Sequence, residues 1–195
     1  MVDEPQTSSG SSSSSQFGTE LSAGTGTGTG WRSLLKPSLL IAAAVIVVLD
    51  QATKAMVGAA IPLYESVTII PGFLDFTHVR NTGAAFGLLN TADLPMKSAF
   101  MVAMALVAIA AIGAYGATLR ADEHIARAGL ALVLGGAIGN LIDRARLGYV
   151  LDFVDAYVGN WHFWAFNVAD AAITVGAILV IFDLLGLRRN ASHPV

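Results

Sequence analysis

Asp152 and Asp170 each sit at the edge of an apolar run, in the stretch GGAIGNLIDRARLGYVLDFVDAYVGNWHFWAFNVAD that extends from Gly135 to Asp170. A carboxylate at such a place is costly to bury, and an ionisable group at membrane depth marks a functional site by default. Two carboxylates that share a site cannot both ionise cheaply, so the pair holds one proton near neutrality. The ionised member can then take a proton from water while the protonated member polarises a carbonyl. Asp155, three residues after Asp152, competes for the place of Asp152 in such a pair. An interfacial helix would put both on nearly the same face, and spacing alone leaves the choice open. Asn140, Arg144 and Asn167 have the right chemistry to orient the acids or a substrate backbone. Asn140, Asp143 and Arg144 fall on one helix face at i, i+3 and i+4, and Asp50 and Lys54, four apart, can pair on another.

Positioning these groups requires a bilayer. Hydrophobic residues make up 54% of the 195-residue chain, charged residues 13%, and the mean hydropathy is +0.64. A soluble domain carries about 25% charged residues. The net charge of −3 implies no particular partner, and without a basic patch or a recognition motif nucleic acid is excluded as one. Cysteine is absent, which removes disulfides, thiolate metal sites, a cysteine nucleophile and anchoring through a lipidated N-terminal cysteine.

Hydropathy predicts four spans, at about 39–60, 98–119, 125–143 and 166–187. Residues 1–30, rich in Ser, Gly and Thr, read as a disordered tail, and 189–195 as a short C-terminal one. The first span is read as a helix that stays in the protein rather than a cleaved signal peptide, because no clean small-residue site follows it. Residues 61–80 read as two short strands about Pro71-Gly72, a β-like insert that must lie outside the hydrocarbon. Gly135 and Gly139 form a small-xxx-small pattern suited to close helix approach. Residues 146–165 hold six of the sixteen aromatics, with Phe166 a seventh just beyond, and read as an interfacial amphipathic segment. Four spans put both termini on one side. Six basic residues then share that side against five on the other, a weak bias towards cytoplasmic termini and an outward-facing Asp152/Asp170 surface.

Four motifs in order carry a family resemblance: DQATK from Asp50, NTGAAF from Asn81, GGAIGNLIDR from Gly135, and VLDF with FNVAD around Asp152 and Asp170. Together they span about 39–187, within a peptidase domain placed at 31–188. The chain resembles the bacterial lipoprotein signal peptidases, also called type II signal peptidases. The resemblance implies a mainly α membrane protein: a four-transmembrane-helix bundle with a small extracytoplasmic β-like cradle and an interfacial amphipathic helix. It implies a metal-free and cofactor-free aspartic endopeptidase of the cytoplasmic membrane that cleaves before a diacylglyceryl-modified cysteine. Asp152 and Asp170 match the catalytic aspartates, which decides against Asp155. Asn81, Asn140, Arg144 and Asn167 match substrate-site positions, where inhibitors of the globomycin type also bind, and Asp50, Lys54 and Asp143 match supporting ones. The long N-terminal tail departs from the family pattern. A small proton-coupled transporter is the main alternative, but the chain shows no internal repeat and its acids cluster at helix ends. A structural bundle would be indifferent to loss of either acid, and the Tyr-Asp and Gly-x-Gly-Asp motifs of presenilin-type proteases are absent. No HExxH, GxSxG or phosphate-loop motif supports other hydrolase chemistry.

Overall fold

The computed structural model describes residues 37–83, 96–120 and 122–186. The expected tails at 1–30 and 189–195, and the NTGAAF loop beyond Gly83, lie outside the described residues.

Among the described residues, four helices form the bundle: α1 (Pro37–Ala60), α2 (Lys97–Thr118), α3 (His124–Leu147) and α4 (Val168–Leu184). The first three are long and apolar enough to cross a membrane. Helix α4 is just as apolar but has 17 residues, about 26 Å at 1.5 Å per residue, against a hydrocarbon core of about 30 Å. Helix α3 is the hub and packs on the other three. Half of its most apolar stretch is buried, against 11% for α2. That stretch was expected to stop near Asp143. It continues to Leu147, because Arg144 and Arg146 complement the negative end of the helix dipole and Gly148, at φ 79°, supplies the left-handed residue that ends it.

Glycine lets the backbones touch. A Cβ on Gly135 would lie 2.8 Å from the Ala43 carbonyl oxygen of α1, and one on Gly139 would lie 2.6 Å from Asp50 Oδ2. The Gly135/Gly139 pattern therefore faces α1. Gly129 and Gly136 face α4, where Gly176 approaches in return.

A four-stranded antiparallel sheet lies at the end of the bundle that carries Asp152, in the order β1 (Ser66–Ile70), β2 (Leu74–Asn81), β3 (Val150–Val158) and β4 (Trp161–His162). The Pro71-Gly72 turn forms as expected, with Gly72 at φ 79° and Phe73 N donating to the Ile70 carbonyl at 3.0 Å. Val57 of α1 and Ile61, just past its end, pack with Leu151 and Phe153 of β3, which anchors the sheet to the bundle.

The interfacial amphipathic helix expected over 146–165 is not there. Gly148 and Gly159, both at positive φ, bracket a run of β-branched and aromatic residues whose first four members are buried as a strand. Clustered aromatics mark an interface without fixing the backbone, and pairing with β2 decides the conformation. A register shift between Phe76 and Val79 has a direct consequence for the site. The added residue puts Val79, rather than His78, opposite Asp152, and so turns Asn81 onto the same face as Asp152.

Candidate active site

Strand β3 delivers Asp152 and the first turn of α4 delivers Asp170; Asn167 lies between them and touches both. Asn167 is the N-cap of α4. Its Oδ1 accepts from the Asp170 backbone N–H at 2.9 Å, and its own N–H donates to Asp170 Oδ2 at 3.3 Å, a reciprocal capping box. Its Nδ2 donates to Asp152 Oδ1 at 2.7 Å. A second amide reaches each acid: Asn81 Nδ2 donates to Asp152 Oδ2 at 3.0 Å, and Asn140 Nδ2 donates to Asp170 Oδ1 at 2.8 Å.

Asp152 is 2% exposed. Burial, and after it the neighbouring Asp170 charge, push its pKa from the ordinary 3.8 up to about 7, against the lowering effect of the Asn81 and Asn167 hydrogen bonds and of Lys54. Asp170 sits where the N-terminal helix dipole favours negative charge. The two acids thus share one site through Asn167, an arrangement in which a close pair can hold a single proton between them.

A buried ionic cluster underlies the pair. Lys54 Nζ reaches Asp50 Oδ2 at 2.8 Å, Asp143 Oδ2 at 2.9 Å and Asn140 Oδ1 at 3.0 Å. Asp50 Oδ1 accepts the Ala169 N–H of α4, and Asp143 Oδ2 accepts the Leu151 N–H of β3. Gln51, a member of the DQATK motif whose type alone points to no role, donates to Asp143 Oδ1 at 2.9 Å and to the Gly139 carbonyl at 3.2 Å. Among the described residues no buried side-chain nitrogen or oxygen lacks a partner.

Arg144 donates to the Gly83 carbonyl at 3.0 Å, and its guanidinium is within electrostatic reach of Asp170, Asp152 and Asp143. Lys97 Nζ donates to Thr82 Oγ1 at 3.1 Å, so cations from two helices hold the chain just after β2. Asp155 is directed elsewhere. On a strand, residues three apart face opposite ways, and Asp155 pairs with His162 Nδ1 at 2.9 Å.

The signal peptidase (SPase) II family model matches residues 42–186, from α1 through α4 and the whole site. The chain belongs to the signal peptidase II family. It is 45% identical over 152 residues to the lipoprotein signal peptidase of Geobacter metallireducens, covering 78% of this chain and 93% of that relative. It is 45% identical over 159 residues to that of Geobacter sulfurreducens, covering 80% and 98%. A solved structure described as a bacterial membrane enzyme, determined in meso at 2.3 Å, superposes with a TM-score of 0.69 at 30% identity, covering 83% of this chain and 95% of that one. A second such structure, at 1.9 Å, gives 0.68 at 29% identity, covering 77% and 94%. Membership makes this signal peptidase II chain a membrane peptidase, and so a hydrolase.

Proposed function

We propose that this protein is an aspartic endopeptidase that removes signal peptides from diacylglyceryl-modified prolipoproteins, cutting before the lipidated cysteine, with Asp152 and Asp170 as its catalytic pair. The observation that carries the reading is that one residue, Asn167, hydrogen-bonds both carboxylates. Asp152 enters the cycle protonated and donates to the scissile carbonyl oxygen. Asp170 enters ionised and takes a proton from the attacking water, whose oxygen bonds to the carbonyl carbon. Collapse breaks the C–N bond; Asp170 returns its proton to the leaving nitrogen, and the carbonyl proton goes back to Asp152. Water is consumed, and both acids end as they began. Asn81, Asn140, Arg144 and Asn167 hold the acids and the substrate backbone, while Asp50, Lys54 and Asp143 support them from below.

In this reading α4 is a fourth span, both termini are cytoplasmic, and the sheet with the pair lies near the outer leaflet. An apolar path between lipid-facing helices receives the signal peptide and acyl chains, and compounds of the globomycin type compete there. The transporter reading has no comparable support. Purified protein in detergent should cleave a diacylglyceryl-modified precursor and spare its unmodified twin. Equal cleavage of both would refute the lipid requirement, and turnover by Asp152→Asn or Asp170→Asn would refute the pair.

A further inference from the structure

A feature of the site outside its two acids is the orientation of its amides. Asn140 and Asn167 can each present oxygen or nitrogen to a neighbour, and the reverse orientation would aim a carbonyl oxygen at a carboxylate. Asn167 is set by a backbone donor, the Asp170 N–H, which only its Oδ1 can accept. Asn140 is different. Its Oδ1 faces Lys54 Nζ at 3.0 Å and Asn167 Nδ2 at 3.3 Å. An ammonium can only donate, so it holds the Asn140 oxygen on its side and sends Nδ2 towards Asp170.

We infer that Lys54 is a positioning residue for hydrolysis: it locks the Asn140 amide so that its N–H addresses Asp170, and thereby aims the base. This rests on the aspartic reading above. Lys54 is buried between Asp50 and Asp143, so a plain structural ion pair is the competing account. The two differ in what happens when the pair is removed as a unit. Asp50, Lys54 and Asp143 together carry one net negative charge. The double variant Lys54→Met/Asp50→Asn keeps that charge and removes the Lys54–Asp50 pair, leaves Asp143 to its Gln51 and Leu151 N–H donors, and gives Asn140 no ammonium.

The experiment compares wild type, Lys54→Met and the double variant in detergent, following thermal unfolding and the kcat and KM of a fluorogenic diacylglyceryl-cysteine lipopeptide. The double variant should unfold near the wild-type temperature with a near-normal KM, while kcat falls about 10²-fold, the scale of a misplaced catalytic group. Recovery of wild-type kcat in the double variant would overturn the inference, since an ion pair alone would then explain Lys54. So would failure of the double variant to fold, which would make the role structural. Asp152→Asn and Asp170→Asn run beside them: turnover there would sink the aspartic reading itself, a different result from recovery in the double variant.

Discussion

Asp152→Asn should do two things that pull in opposite directions: abolish cleavage and stabilise the protein above neutral pH. A carboxyl whose folded-state pKa is about 7, against an ordinary 3.8, costs nothing below about pH 4, where it is protonated folded or unfolded. As pH rises the unfolded chain ionises first, and folding loses about 1.4 kcal/mol per pH unit until Asp152 itself ionises near 7. The full cost is about 4 kcal/mol. Asparagine avoids it, but its own N–H must face one of the two amide donors, Asn81 or Asn167, for a penalty of about 1–3 kcal/mol that does not depend on pH. The absolute gap is therefore a poor readout, and its pH dependence a clean one. Between about pH 5 and about pH 8 the advantage of the variant over wild type should grow by about 3 kcal/mol, or about 5–10 °C in Tm for a chain of this size. Paired thermal melts in one detergent, with lipopeptide cleavage assayed on the same samples, test both halves. A gap that stays constant across that range would show that Asp152 does not carry a raised pKa, and the division of labour between the acids would fall with it.

Other outcomes follow from the same contacts. In the proposed cycle Asp152 polarises the carbonyl while protonated, so kcat/KM should drop about tenfold per pH unit above about 7; a rate flat to about pH 9 would contradict that role. Asp170→Asn should eliminate turnover, whereas Asp155→Asn, on the opposite strand face and bound to His162, should change kcat/KM by no more than about twofold. Gly139→Ala gains about 1 kcal/mol of helix propensity but drives a methyl against Asp50 Oδ2 at 2.6 Å, and overpacking of about 1–3 kcal/mol should win and lower both Tm and kcat. Gly113→Ala, with open space around it on α2, should keep the propensity gain and raise Tm or leave it unchanged.

Much of this architecture could be read from residue order, because membrane solvation writes its demands on one dimension. Uncharged runs announced the helices, and Gly135 with Gly139 announced a close approach. What escaped depends on partners far along the chain. Nothing local distinguishes an aromatic-rich interfacial helix from strand β3; the pairing with β2 decides it. The shift that turns Asn81 towards Asp152 is equally invisible without its opposite strand. The start of α4 was open to a better reading. Asn167 and Asp170, spaced as N-cap and N3, form a variant of the capping box, and that signal places the helix start at Val168 and the two side chains in contact. Gln51 left no comparable trace, since an amide beside an acid on an apolar helix has many roles and only the Gly139 approach gives it this one.

Asn167 caps a helix and grips both acids at once, and this constrains how the molecule can move. Drawing Asp170 away from Asp152 would unwind the opening turn of α4 or break the short bond to β3. The two acids are therefore tied together by the same contacts that start α4. Under the proposed function, whatever yields to admit a bulky acylated chain lies in parts other than Asp152, Asn167 and Asp170, so loosening those parts should change how fast substrate enters and leave the speed of bond breaking alone.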